Sequence, residues 1–199
     1  MGLGCAASAS LAAVPGVSLA QAVASAANSA AADTLTAPLI ASAGVARKNV
    51  MRSVALDNLH TGESMEAVYW DDGAYLPDVL DAVNLQLRDY RTGDVHPIDP
   101  RLLDLLDDVA AKTGTKASFQ VISGYRSPKT NAMLHERSAE VAQKSFHVQG
   151  MAIDVRLPDI ELRHLHAVAQ SLGRGGVGFY PDSNFVHIDV GPVRAWQGT

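Results

Sequence analysis

The chain has 199 residues, 47% hydrophobic and 19% charged, with 16 Lys and Arg against 21 Asp and Glu for a formal net charge of -5. That length buries the core of one domain, and an acidic balance without a basic run offers no footprint for a nucleic-acid backbone, so no nucleic-acid partner is expected. A single cysteine, Cys5, excludes an internal disulfide and any structural zinc site built from several cysteines, which leaves His and carboxylate as metal ligands.

Residues 1–20 read as a signal-like leader, moderately apolar and ending on Ser18-Leu19-Ala20, small residues where a signal peptidase cuts. The basic n-region is missing, as in a leader truncated behind its twin arginines. Ala, Gly and Ser supply little transfer energy and Pro15 interrupts the run, so no stable membrane span is expected and the protein reads as exported and periplasmic. Residues 21–46, rich in Ala and Ser with Asp33 as the one charge, are too poor in large apolar groups to offset ordering entropy and read as a flexible linker. Residues 47–199 form the domain.

Val54 and Leu56, then Met65, Ala67 and Tyr69, alternate around Asn58-Leu59-His60-Thr61-Gly62-Glu63, which predicts a β-hairpin with a polar tip. Leu76, Val79, Leu80, Val83 and Leu87 at helical spacing predict a helix over 77–88. Asp99-Pro100 starts a second helix that Gly114 stops, and Ser127-Pro128 starts a third expected to reach about Gln143. A strand at 118–122 lies between them. Pro158 and Gly173 frame a fourth helix around Leu162, Leu165, Val168, Ala169 and Leu172, and the pieces 151–156, 177–180 and 185–190 are short and β-like. The sum is an α+β domain, a small antiparallel sheet packed against helices.

Two of these strands carry ionisable groups on one face only. Asp154 shares its face with Ala152 and Arg156, and His187 shares its face with Phe185 and Asp189, while the apolar residues point the other way. In one sheet, Asp154, His187 and Asp189 then emerge on the same open side. His147, seven residues before Asp154 with Gly150 between them, folds back over that carboxylate. Two imidazoles and one carboxylate form a facial set for zinc with a position left for water, the arrangement of catalytic zinc. From alternation and spacing alone, structural histidines explain the same residues equally well.

The wider pattern is Ser145-Phe146-His147-Val148-Gln149-Gly150-Met151-Ala152-Ile153-Asp154, flanked by Ile122-Ser123-Gly124-Tyr125-Arg126-Ser127 and by Ser183-Asn184-Phe185-Val186-His187-Ile188-Asp189. These segments, with the Asn58–Glu63 tip, resemble the M15 family of zinc peptidases acting on bacterial cell-wall peptides, and within it the murein endopeptidase K subgroup. The resemblance spans about Arg52 to Trp196. It implies Zn2+ held by His147, Asp154 and His187 on the open sheet face, and an arginine beside the metal, Arg126, that holds substrate or the developing oxyanion. A guanidinium suits that work because it stays charged and presents a planar fork of donors.

Many M15 peptidases carry a Glu or Asp three residues before the last histidine as general base, where this chain has Asn184. Asp189 is the nearest replacement, and two roles stay open for it: proton carrier, or acceptor orienting the His187 ring. Asp182, in the loop before that strand, is a weaker substitute. Glu161, His164 and His166 fall on an amphipathic helix and His135 on another, all read as helix surface, and the glycines at 173, 175, 176 and 178 as a turn letting strands pass close to the site. The expected function is hydrolysis of peptide cross-links between peptidoglycan stem peptides. The alternatives are D,D- or L,D-carboxypeptidase action on the same scaffold and a catalytically silent zinc module that binds wall peptides. The sequence sets no oligomeric state.

Overall fold

The computed structural model describes residues 51–138 and 141–199; the expected leader and linker lie outside the described residues. β1 (Arg52–Asn58) pairs antiparallel with β2 (Ser64–Asp71), Leu56 opposite Met65, and buries Val54 and Leu56 as a period of two requires. Asn58 closes the tip, its Oδ1 accepting from the backbone N–H of His60 and Thr61 while its amide donates to the Gln86 carbonyl at 3.0 Å. After the short β3 (Ala74–Tyr75), α1 (Pro77–Gln86) ends two residues before the expected Arg88. There the chain leaves the helix and the Leu87 carbonyl accepts from Tyr125, drawing the 87–91 loop against 124–127.

The second helix, α2 (Pro100–Thr113), matches its caps: the Asp99 carboxylate accepts from the Arg101 N–H, and Gly114 takes φ +73°. Its fully covered Leu102, Leu103, Leu106 and Val109 meet Leu165, Val168 and Ala169 of α4 (Leu162–Leu172) over one sheet face. Each such leucine taken from water contributes about 1.5–3 kcal/mol. Between those helices run β4 (Phe119–Ser123), α3 (Pro128–Arg137) and β5 (Ala152–Arg156), and after them β6 (Gly176–Tyr180), β7 (Phe185–Asp189) and β8 (Arg194–Gln197).

The sheet has eight strands in the order β3-β2-β1-β4-β5-β7-β6-β8. It is mixed rather than purely antiparallel as expected: β1 with β4 and β6 with β8 run parallel. Both pairs join strands separated in the chain, and strand direction across such a crossover is invisible to local periodicity. α3 is also shorter than expected. At Ser138 the backbone turns extended, and from Val141 the chain runs back along the helix, where Asn131 Nδ2 donates to the carbonyls of Ala142 and Gln143 and His135 Nδ1 lies 2.6 Å from the Val141 carbonyl. No helix among the described residues is long and apolar enough to cross a membrane.

Candidate metal centre

The sheet face opposite α2 and α4 carries the chemistry. Asp154 in the middle of β5 stands directly across from His187 of β7, which is flanked in turn by Gly178 of β6, itself level with Trp196 of β8. One step along, Ala152 faces Asp189, and Gly176 is level with Arg194. The small residues are required where they stand. A Cβ at Gly178 would lie 2.6 Å from the Trp196 ring, and one at Gly176 would lie 2.5 Å from an Asp189 carboxylate oxygen. Of the glycine run read as a turn, Gly173 caps α4 and Gly175 lies in the bend that follows, while Gly176 and Gly178 are strand and bring β6 close under the site.

His147 arrives on a 3-10 turn, Phe146–Gln149, entered through Ser145 Oγ and closed by Gly150 at φ +66°. Each residue of Gly124-Tyr125-Arg126-Ser127 has a separate task in seating it. The Gly124 carbonyl accepts from His147 Nδ1 at 2.7 Å, the Arg126 N–H donates to the His147 carbonyl, and Tyr125 binds the Leu87 carbonyl. Ser127 donates its N–H to buried Asp89 and caps α3 through its hydroxyl. Burial acts against the charge on Asp89, yet hydrogen bonds from Thr130, Ser127 and Arg91 hold its pKa down at about 2.

Three ligand atoms converge. His147 Nε2 lies 3.2 Å from Asp154 Oδ1 and 3.2 Å from His187 Nδ1, and His187 Nδ1 lies 2.9 Å from Asp154 Oδ1. Both imidazoles are tied at their other nitrogen: the Gly124 carbonyl can only accept, so the His147 proton sits on Nδ1, and Asp189 Oδ2 at 2.9 Å is an acceptor for a proton on His187 Nε2, the tautomer that turns Nδ1 into a ligand. With His187 neutral in that tautomer, two ring lone pairs and a carboxylate oxygen face one another, and a cation can take the place of the proton that otherwise bridges His187 Nδ1 and Asp154. A cation satisfies that arrangement. The edges of a tetrahedron with bonds of roughly 2.0–2.1 Å are about 3.3 Å long, so the observed spacing fits zinc.

Burial would raise the Asp154 pKa, but His147 and His187 outweigh it and hold the carboxyl well below its usual range. Burial pushes the His147 pKa down. It also opposes charge on His187, but hydrogen bonds to Asp154 and Asp189 overcome it and move that pKa up, so a bound cation displaces a proton there. The other Asp154 oxygen, Oδ2, takes Arg126 Nη2 at 3.4 Å. Arg126 is buried, also donates to Ser123 Oγ, and keeps its Nε without a partner.

Asp189 is placed differently from the sequence expectation of an exposed group beside the metal. It is completely covered, Oδ2 taken by His187 and by Arg194 Nη2 at 2.6 Å, and Oδ1 by the N–H groups of Gly176 and Gly191 and by Arg194 Nη1. Asp154 and His187 are buried as well, because β8 and the 141–149 segment close over this face and leave a cleft of about 440 Å³. Burial opposes charge on Asp189, but His187, Arg194 and the Gly191 N–H hold its pKa below the usual carboxylate value. Asp182 is exposed and Asn184 occupies the tight turn before β7 at φ +54°; neither lines the cleft. Among the described residues Asp154 is the one carboxylate that does.

The remaining histidines stay apart from this centre. His164 is exposed on α4, His166 packs on Phe179, and His60 stacks on Tyr90 at the hairpin tip. Sequence reasoning missed Arg194, which grips Asp189 while lying between the Phe146 and Trp196 rings at 5.0 and 4.9 Å. Its spacing of five residues from Asp189, across a Gly-Pro turn, was the available signal.

The model of the family described as peptidoglycan L,D-endopeptidase MepK, a peptidase M15 family, matches residues 46–196. The chain belongs to this MepK family. It is 46% identical over 145 residues to the peptidoglycan L,D-endopeptidase MepK of Escherichia coli strain K12, covering 73% of this chain and 80% of the relative. The probable peptidoglycan L,D-endopeptidase MepK of Haemophilus influenzae is 40% identical over 148 residues, 74% of this chain and 80% of that one. The crystal structure of the Serratia marcescens L-Ala D-Glu endopeptidase ChiX aligns with 48% of this chain and 68% of its own at 16% identity and a TM-score of 0.33. The α+β fold and the peptidase assignment expected from the motifs thus agree with membership of the MepK family.

Proposed function

We propose that this protein is an exported, zinc-dependent peptidoglycan endopeptidase that hydrolyses peptide cross-links between stem peptides, the L,D bonds named for its relatives being the first candidates. The observation that carries the reading is the meeting of His147 Nε2, His187 Nδ1 and Asp154 Oδ1, with both imidazoles tied at the opposite nitrogen. Zinc bound there supplies a Lewis acid that polarises the scissile carbonyl and lowers the pKa of water toward about 7.

The protein's own groups do the rest. Gly124 and Asp189 hold the two rings in the ligating tautomer. Arg126, fixed to Asp154 through Nη2 and lining the cleft, brings its guanidinium charge to the carbonyl oxygen and the negative charge that grows on it. Arg194 keeps Asp189 ionised and in place. Asp189, with every lone pair engaged behind His187, acts through that ring and carries no proton to the leaving amine.

Digestion of purified cross-linked muropeptides tests the function. Cross-linked dimers are expected to become monomers, with chelator abolishing the conversion and zinc restoring it. Release of a free amino acid with dimers left intact would mean a carboxypeptidase instead, and binding without turnover would leave a silent module.

A further inference from the structure

Among the described residues that line it, the cleft carries more cations than carboxylates, although the protein is acidic. Three cations line it, Arg126, Lys144 and Arg194, against Asp154 as the sole carboxylate among the described lining residues. Two of the three are already committed: Arg126 to Asp154 and Arg194, through both terminal nitrogens, to Asp189. Lys144 is exposed, forms no ion pair or hydrogen bond among the described residues, and stands one residue before Ser145, which caps the turn carrying His147. A solvated ammonium at the rim of a concave, low-dielectric site attracts and orients anions. A bound divalent cation adds to the same field.

We propose that Lys144 is a substrate-specificity residue that binds a free carboxylate of the peptide near the scissile amide, so that the enzyme prefers stem peptides whose carboxyl groups are ionised over those in which they are amidated. The inference rests on the endopeptidase reading. A lysine suits the role because its compact charge on a flexible stem follows a carboxylate without demanding a fixed plane. Phe146 and Trp196, with Arg194 held between them, line the same cleft. Lys144 touches none of the ligating atoms, so its effect falls on binding rather than on the bond-breaking step.

The test uses the zinc-loaded full chain and two probes, a cross-linked muropeptide dimer with free carboxylates and the same dimer amidated. The wild type is expected to show a KM about fivefold lower for the free dimer, the size of effect an accessible charge pair supports. Lys144→Ala is expected to raise KM for the free dimer by about that factor with kcat within about twofold, and to erase the preference, while Lys144→Arg restores it. Titration calorimetry with zinc-depleted protein should show the same loss in affinity, and Lys116→Ala, an exposed lysine before β4, controls for overall charge. Equal KM values for the two dimers in a wild type that turns both over, or an undiminished preference in Lys144→Ala, would remove the role of Lys144 and leave the endopeptidase reading intact. Turnover of neither dimer by the wild type would remove both.

Discussion

His147→Ala and Asp154→Ala proteins are expected to lose zinc and, with it, all measurable conversion of cross-linked dimers. Each substitution deletes one of three atoms that lie 2.9–3.2 Å apart and leaves an incomplete donor set for the ion. The two variants differ in stability. Removing Asp154 also strips the buried Arg126 of its carboxylate, and breaking such a buried pair costs about 3–5 kcal/mol. Asp154→Asn keeps the shape and lessens that cost, so it separates metal loss from unfolding. The measurement is zinc per chain by mass spectrometry beside muropeptide turnover and a thermal melt. A folded His147→Ala protein that retains stoichiometric zinc and activity would overturn the ligand assignment.

Asp189→Asn carries the second large effect. If Asp189 orients His187, the amide weakens the hold on the ring and leaves Arg194 without its charge partner, and zinc affinity is expected to fall about 10–100-fold. Activity then returns when zinc is raised to saturation. A proton carrier at this position predicts the opposite pattern: unchanged zinc affinity, and a kcat deficit that added zinc leaves untouched. Zinc titrations followed by both metal content and kcat distinguish the two.

The convergence of three side chains was more legible than the architecture around it. His147, Asp154 and His187 were readable because strand alternation and one sharp turn are local properties, and register pairing of Asp154 with His187 needed only that the two strands be neighbours. What local pattern lacks is depth. Alternation put Asp189 on the same face, but its burial comes from Arg194 of the four-residue edge strand β8 and from the backbone at Gly176 and Gly191, none of which has an apolar signature. The same limit hid the role of Gly124, whose importance lies in its carbonyl and in Leu87, whose backbone oxygen would stand 2.6 Å from any Cβ there. The overlong expectation for α3 fails for a related reason: side chains of the helix itself, Asn131 and His135, bind the returning segment.

X-ray absorption at the zinc edge of the purified protein tests the central claim most directly. The account predicts one zinc per chain, with two imidazole nitrogens and one or two oxygens at roughly 2.0–2.2 Å. A spectrum with no histidine scattering, or one unchanged in a folded His187→Ala protein, would contradict it.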